Sequence, residues 1–282
     1  MRGLIPNGET VVHWIAPSGR VLPIAGFGHG DVWIGEGVDG LALPVNHIFE
    51  AGAREFGERV AGVTVDAAEY DFPLHVRAPD PEALRIRCRE VEGLFERFRK
   101  GWLATYSPSR GWRFVSARRG EMALVTELDP HRSIHAAYEV TLIVESPLAR
   151  EADRTSVWVN GSGSGRGQLH LYPGDGEWTT WAMFEVRGPG RVRLRWCGND
   201  VELPRLAAGE WALVNSDEAR PTIIGRGADG VEKNLWPLMP PGQRIPFPLG
   251  KREVSRVDVS VTGGSRETYV RGRCRVLHEG LF

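Results

Sequence analysis

The sequence is poor in the features of secreted disulfide-rich proteins and of proteins that coat charged polymers. Its 282 residues include only three cysteines, Cys88, Cys197 and Cys274. Three widely spaced cysteines predict neither a disulfide framework nor a paired-cysteine metal site. We expect them to be small buried hydrophobic residues of a protein made in a reducing cytoplasm. The formal net charge is −1, so the chain as a whole is not a polyelectrolyte binder.

Long hydrophobic runs are also missing. No stretch approaches the roughly 18 consecutive apolar residues of a membrane span. The segment Met1–Ile15 lacks the basic start and apolar centre of a signal peptide. Turn-forming residues are abundant instead, since 35 glycines and 19 prolines separate short runs rich in Val, Ile, Trp, Phe and Thr. This rhythm is typical of sandwiches and barrels and predicts a mainly β protein.

Period-two alternation indicates where the strands lie, most clearly over Ala136–Val144. In the first half the predicted strands cover residues 10–15, 19–24, 32–34, 61–67, 112–116, 121–128 and 136–144. In the second half they cover residues 155–159, 168–172, 179–186, 191–196, 201–203, 210–214, 222–224, 254–261 and 269–277. No internal repeat of fixed period is present, which argues against a solenoid or a propeller.

One helix is predicted between the strands of the first half. Asp80 suits the N-cap, Pro81 suits the first helical position, and Gly101 is a plausible stop. A helix over Pro81–Lys100 would be roughly 30 Å long. Its apolar stripe should lie against a sheet, and it comprises Leu84, Cys88, Val91, Leu94, Phe95 and Phe98.

The polar segment Ser146–Arg154 interrupts the strand pattern after the strongest strand and contains Pro147. We place the domain boundary here. The prediction is an N-terminal domain over 1–146, a linker over 147–154 and an all-β C-terminal domain over 155–282.

The sequence offers no convincing reactive centre. Gly161–Gly167 has the letters of a phosphate-binding loop, but a strand follows it where such loops need a helix. His131 and His135 have helical spacing but precede a strand. The acidic residues of the second half lie in turn-rich segments, where turn formation explains them. We therefore predict no catalytic, cofactor-binding or metal-binding residue and no enzyme activity.

Two sets of residues leave alternatives open. The first set consists of five tryptophans of the second half, Trp178, Trp181, Trp196, Trp211 and Trp236. Either all of them fill a core, or at least one contacts carbohydrate or protein. Trp178 is the best exposed candidate for such a contact. The second set is a band of basic residues with three alternative interpretations. It is a solvated face with ion pairs, an electrostatic contact between subunits, or a surface near DNA. Its members are Arg85, Arg87, Arg89, Arg97, Arg99, Lys100, Arg110, Arg113, Arg118 and Arg119.

Ordered motifs resemble those of a known family. The stretch LYPGDGEWTTWAMFEVRGPG, Leu171–Gly190, resembles a turn–strand–turn motif of minor tail proteins from actinobacteriophages, with Tyr172 where the motif has Asn. Further similarity follows in order, in ELPRLAAGEWALVNSDEARPTIIGRGADG (Glu202–Gly230), LWPLMPPGQ (Leu235–Gln243) and FPLGKREVSRVDVSVT (Phe247–Thr262). The first half resembles the family's N-terminal domain in GLIPNGETVVHW, the helix and AAYEVTLIVESP.

This resemblance to siphophage distal tail proteins implies a fold and an assembly. The fold is an N-terminal β-sandwich-like domain with one long helix, followed by a C-terminal galectin-like jelly-roll β-sandwich. The N-terminal domain would build a homo-oligomeric ring of six copies, through which genomic DNA passes. Exposed strand edges and the segment Asp39–Glu58 are candidates for the contact between copies.

The same resemblance implies partners and a location. The ring would join the tail tube protein, the tape measure and the tail-hub or baseplate proteins in the virion tail tip, after synthesis in the host bacterial cytoplasm. The alternative function is a carbohydrate-binding module that attaches to a host cell-wall glycan, and a wall hydrolase is a third reading. Neither membrane insertion nor a cofactor is implied.

Overall fold

The computed structural model describes residues 9–52, 56–125 and 132–281. The chain forms two compact units, the first over Met1–Glu151 with His278–Phe282 and the second over Ala152–Leu277. Strands dominate both, and one α-helix occurs in the described residues. The predicted mainly β class is therefore confirmed.

The first unit contains one helix, α1, over Pro81–Leu94. Its strands are β1 (Val11–Ile15), β2 (Val21–Ala25), β3 (Val32–Ile34), β4 (Val45–Glu50), β5 (Arg59–Val65), β6 (Ala68–Arg77), β7 (Gly101–Ser107), β8 (Gly111–Val125), β9 (His135–Val144) and β10 (Ala149–Arg150). The order β2-β1-β7-β8-β9-β6-β3 forms one sheet, and β10 adds to β8. Strands β4 and β5 form a separate two-stranded sheet among the described residues.

The long strand β8 joins the two parts of this sheet. Its first part pairs with β7 and its last part pairs with β9. The register shifts between Arg119 and Glu121, so Gly120 is unpaired, and such a bulge bends a strand. Strands β2 and β3, at the two ends of the order, also lie beside each other. The sheet thus curls around one core.

The helix closes this core. Leu84, Val91 and Leu94 are buried against the sheet. The indole Nε1 of Trp14 donates a hydrogen bond of 2.8 Å to the carbonyl oxygen of Leu94. The Trp14 ring also stacks on Phe95 at 4.8 Å between centroids.

The predicted helix over Pro81–Lys100 was too long, because α1 ends at Leu94. Phe95 adopts an extended conformation and keeps its ring in the core. The following segment turns toward β8, where the backbone N–H of Arg119 donates to the carbonyl of Glu96. The last residue of the predicted stripe, Phe98, is consequently 93% exposed. The N-cap prediction holds, since the Asp80 side chain accepts from the N–H of Ala83.

The second unit is an assembly of antiparallel strands. They are β11 (Arg154–Val159), β12 (Arg166–Leu171), β13 (Thr180–Arg187), β14 (Arg191–Trp196), β15 (Asn199–Glu202), β16 (Trp211–Asn215), β17 (Thr222–Arg226), β18 (Glu232–Asn234), β19 (Pro248–Leu249), β20 (Ser255–Thr262) and β21 (Tyr269–Cys274). The last strand, β22 (Leu277–His278), pairs with β10 and belongs to the first sheet. A short 3₁₀ helix covers Trp236–Leu238. One sheet has the order β11-β21-β13-β16-β17-β18 with β19 beside β13, and the other has the order β12-β20-β14-β15.

Both sheets of the second unit contribute to one core. Phe184 of the larger sheet stacks with Trp196 of the smaller sheet at 5.5 Å between ring centroids. Phe247 completes the cluster, 5.0 Å from Trp196. Stacked aromatic pairs at such distances stabilise a core by about 0.5–1.5 kcal/mol beyond the area they bury.

The end of the chain returns to the first unit, whereas the predicted C-terminal domain ran to residue 282. Leu281 is buried in the first core. The hydroxyl of Thr105 donates to the Leu281 carbonyl at 2.7 Å, and Arg113 donates to the Gly280 carbonyl at 2.8 Å. The predicted linker 147–154 also contains β10, a strand of the first sheet.

The cysteine prediction was wrong for one residue. Cys274 is buried and Cys88 is half-buried, but Cys197 is exposed, and all three thiols are free. Cys197 occupies the hairpin turn between β14 and β15 with φ of 43°, next to Gly198 with φ of 80°. Tight two-residue hairpins require positive φ at their central positions, which takes the Cys197 side chain out of the alternating pattern.

Candidate assembly interface

A two-stranded ribbon, formed by β4 and β5 and here called the arm, has no core of its own. Every residue of β4 is exposed. Phe49 is 55% exposed and Val60 is 55% exposed, and Phe56, near the tip, is fully exposed. At its base the arm is fixed by the N–H of Asp66, which donates to the carbonyl of Pro44 at 3.0 Å.

Strand register concentrates the apolar side chains on one face of the arm. Residues directly opposite in an antiparallel pair share a face, and neighbours along the strand alternate. One face therefore carries the pairs Val45–Val65, His47–Val63 and Phe49–Val60. The opposite face carries the pairs Asn46–Thr64, Ile48–Gly62 and Glu50–Arg59. The arm is thus an amphipathic ribbon, and the first face is almost wholly apolar.

An arm of this kind needs a partner surface. A two-stranded hairpin alone is marginally stable in water, and contiguous exposed apolar surface marks protein contact sites. The arm also has two unpaired strand edges, which can extend another sheet by backbone hydrogen bonds. The arrangement can therefore bind protein through side chains and backbone together.

A cleft beside α1 is a second apolar surface of the first unit. It encloses about 870 Å³ and includes Trp33, Ile86 and Ile134. Ile86 is 52% exposed and Ile134 is 41% exposed. At its rim Arg87 donates two hydrogen bonds to Asp31, of 2.8 and 3.0 Å. This ion pair fixes the helix to the segment before β3 and leaves the apolar floor open.

Solved phage structures share this architecture. The Dit protein of phage SPP1, described as a paradigm of the hub adsorption apparatus in phages that infect Gram-positive bacteria, matches with a TM-score of 0.62 at 11% identity, covering 94% of this chain and 98% of that chain. A chain of the phage P2 baseplate in its activated conformation with Ca matches with a TM-score of 0.52 at 10% identity, covering 94% and 97%. The same baseplate with Sr gives 0.51 at 9% identity, covering 95% and 98%. The chain has the distal tail (Dit) fold. No family model and no curated sequence matches it.

The Dit fold confirms, at the level of architecture, the resemblance that the motifs indicated. The Leu171–Gly190 motif runs from the end of β12 through β13 to the turn before β14. Tyr172, where the motif has Asn, is 40% exposed. Its backbone supplies the local hydrogen bond, because the Tyr172 carbonyl accepts from the thiol of Cys274 at 3.4 Å.

The basic band of the sequence is largely neutralised in this fold. Arg85 pairs with Glu82 on the helix, and Arg99 pairs with Glu96 at 2.6 Å just beyond it. Lys100 and Arg118 share Glu145. With Arg87 on Asp31, at least five of the ten residues form ion pairs, and Arg113 is buried. These contacts favour the solvated, ion-paired alternative for that part of the band.

Histidines meet in a way that sequence spacing did not indicate. His131 lies outside the described residues, and His135 contacts His75 instead, with 3.0 Å between Nδ1 of His75 and Nε2 of His135. Trp33 stacks on both rings, at 5.4 and 5.8 Å. Burial, together with the nearby positive charges of His75 and Arg77, lowers the pKa of His135. The register of β6 and β9 creates this cluster.

The tryptophans of the second unit divide between the two alternatives. Trp196 is in the core, and Trp178, Trp181 and Trp211 are half-buried. Trp236 is the most exposed of the five, at 43%. The candidate Trp178 is held by its backbone N–H, which donates to the Leu277 carbonyl at 3.2 Å. Trp178 is therefore a less open platform than its loop position suggested.

The remaining motifs form no reactive centre in the part of the chain that is described. The glycine-rich segment Gly161–Gly167 connects β11 to β12 and enters a strand, as predicted. Asn160 holds this loop by accepting from the N–H of Gly165 at 2.9 Å. Across residues 9–52, 56–125 and 132–281 no group of three or more potential ligands could hold a metal ion. Within those ranges no helix is long and apolar enough to cross a membrane.

Proposed function

We propose that this chain is a structural subunit of a phage tail tip, which assembles into a ring joining the tail tube to the host-recognition apparatus. The arm carries the proposal, because its apolar face is exposed among the described residues of the chain. The Dit fold supports the location, since a matching structure is a hub protein of a phage adsorption apparatus. The role is mechanical and not catalytic.

The form of the contact follows from symmetry. An arm that binds a different surface of the next copy makes a head-to-tail interface, and such interfaces generate rings when the rotation closes. We place six copies in the ring, with genomic DNA passing through its channel. Tail tube protein, tape measure and hub or baseplate proteins would be its neighbours. Synthesis would take place in the host cytoplasm before incorporation into the virion tail.

The two units would divide this work as separate domains. We assign the ring to the first unit, a curled sandwich-like sheet with its helix, because the arm belongs to it. For the second unit we propose a galectin-like jelly roll. Two antiparallel sheets around one core support this assignment, as does the pairing of its first strand β11 with its late strand β21.

Paired serine substitutions test the arm. We expect wild-type chain to form a ring-sized species with increasing concentration in sedimentation analysis, and Phe49→Ser with Val63→Ser to abolish it. Both side chains lie on the apolar face, and truncating central interface anchors costs about 2 kcal/mol or more each. That corresponds to about a 30-fold weaker association per side chain. The far-UV circular dichroism spectrum of the double variant should equal that of wild type, because both residues are exposed.

Phe98→Ser is the matched control, since Phe98 is 93% exposed and lies outside the arm. It should leave assembly intact. A wild-type chain that stays monomeric at millimolar concentration and forms no ring in intact particles would refute the proposal. Rings that survive the double substitution would refute the role of the arm.

The alternative function, a module that binds host cell-wall glycan through Trp178, stays a prediction. Trp178 is half-buried, so a loss of glycan binding in Trp178→Ala is its test. Absence of binding to the purified wall polysaccharide would argue against it.

A further inference from the structure

The smaller sheet of the second unit has an outer face built from arginine. Along β12 the side chains of Leu169 and Leu171 enter the core, so alternate residues face outward. The same alternation holds along β14 and β20. These strands and the loop before β12 form an open groove of about 890 Å³. Its outward side chains are Arg166, Gln168, Arg193, Arg195, Arg256, Asp258 and Ser260.

Strand register arranges these groups in rows across the groove. Arg166 is opposite Ser260, which is opposite Arg193. In the next row Gln168 is opposite Asp258, which is opposite Arg195. Opposite residues have Cβ atoms about 4.5–5.5 Å apart. Each row therefore places side chains with donors and acceptors beside one another across the groove.

Internal ion pairs fix part of this face. Asp200 accepts two hydrogen bonds of 2.5 Å from Arg193 and one of 3.0 Å from Arg195. Asp258 accepts from Arg256 at 2.9 and 3.0 Å. The planar groups are thus held in place and keep further donors and acceptors directed outward.

Arg166 differs from its neighbours. Within the described part of the chain its guanidinium forms no ion pair or side-chain hydrogen bond. The face as a whole has more arginines than carboxylates, in a chain whose net charge is −1. The excess positive charge is therefore local, and the free guanidinium matches a planar anionic group by two parallel hydrogen bonds.

The chemistry of the groove selects among anionic polymers. Nucleic acid binding uses stacking on aromatic side chains and a continuous positive track. No aromatic residue lines this groove, and Asp258, whose carboxylate accepts from Arg256, interrupts a positive track in its centre. A carboxylate, an amide and a hydroxyl suit sugar hydroxyls instead, because each sugar hydroxyl both donates and accepts.

We propose that this groove binds an acidic polysaccharide whose sugar units carry carboxylate groups. One carboxylate would pair with Arg166, and sugar hydroxyls would bond to the rows formed by Gln168, Asp258 and Arg195. The site belongs to the second unit and does not depend on ring assembly. It supplies an adhesive contact to anionic surface glycans.

Calorimetry on the full chain with hexagalacturonate tests the proposal. We expect binding to wild type and a loss of at least about 10-fold in affinity for Arg166→Gln, as for removal of a charged hydrogen-bonding group. Arg271→Gln is the matched control, an exposed arginine of the other sheet paired with Glu185 at 3.2 Å. It should bind as wild type does. Unchanged thermal unfolding of both variants shows that each is folded.

Several outcomes would overturn the proposal. One is the absence of hexagalacturonate binding by wild type at millimolar concentration. The others are equal affinities of wild type and Arg166→Gln, and a loss of affinity in Arg271→Gln as large as that in Arg166→Gln. Tighter binding of single-stranded DNA or of a glycerol phosphate polymer would show that phosphate, and not an acidic sugar, is the ligand. Because binding is measured per subunit, each result is separate from the question of ring formation.

Discussion

The returning C-terminal segment should stabilise the first unit, although most of the second unit precedes it in sequence. Leu281 is 5% exposed in the first core. Leu→Ala changes in cores cost about 2–5 kcal/mol. We expect about 2 kcal/mol for Leu281→Ala, near the low end of that range. This is about a 30-fold change in an opening equilibrium.

Hydrogen exchange followed by mass spectrometry can measure this effect unit by unit. Amides of β7 and β8, in the first unit, should exchange about 30-fold faster in Leu281→Ala. Amides of β13 and β14, in the second unit, should be unchanged. Global denaturation is less informative here, because a chain of two units need not unfold in one step.

Leu238→Ala provides the control, since Leu238 is 65% exposed. Exposed substitutions usually change stability by less than about 0.5 kcal/mol. If Leu281→Ala accelerated exchange equally in both units, or in neither, the assignment of the segment to the first core would be wrong.

Four further predictions concern stability. A Cβ at Gly101 would lie 2.5 Å from the carbonyl of Ile15 and 2.7 Å from the Trp14 ring, so Gly101→Ala should cost about 1–3 kcal/mol in urea unfolding. Gly93→Ala, in open helical surroundings, should instead stabilise by about 0.5–1 kcal/mol. Burial raises the pKa of Tyr70 to about 12. The stabilising contribution of the neutral Tyr70 hydroxyl is therefore complete below pH about 10 and is lost as the pH rises toward 12. Tyr70→Phe should flatten the alkaline side of a stability–pH curve. Hydrogen bonds from Arg193, and then Arg195, lower the pKa of Asp200. The contribution of the ionised Asp200 to stability is therefore lost as the pH falls through the lowered pKa. Asp200→Asn should flatten the acid side of the stability–pH curve.

The strands that were predicted from sequence are those with simple alternation. Strand β9 was predicted within one residue and β14 with the bounds observed, because one face of each is buried and the other is solvated. Strand β6 was missed although it is central, since Pro73, Glu69 and Asp71 contradict the composition of a central strand. Pro73 is tolerated because it sits just past the end of β3, where its carbonyl accepts from the N–H of Gly35 at 2.8 Å.

The end of the helix was not predictable from local signals. Leu94, Phe95 and Phe98 continue the helical spacing, and Gly101 resembles a helix stop. The structure gives Gly101 a different role, at the start of β7, where its missing side chain makes room for the Trp14 ring. Tertiary hydrogen bonds, such as that from Arg119 to Glu96, decide where the helix stops. Such contacts join residues distant in sequence, so no local pattern contains them.

The two candidate surfaces show a more general limit. A period-two pattern indicates that one face of a strand is apolar, but it does not indicate what covers that face. In the segment of the arm, Val45 and Phe49 fit a core as well as an interface, and the fold decides by leaving their face exposed among the residues that the structure describes. The arginine groove is the converse case, since Arg193 and Arg195 alternate with core residues as any solvated face does. Only register across β12, β20 and β14 brings Arg166, without an ion pair, to the edge of a face whose other charges are fixed. Function in this protein therefore depends on which surfaces the completed fold leaves unpaired.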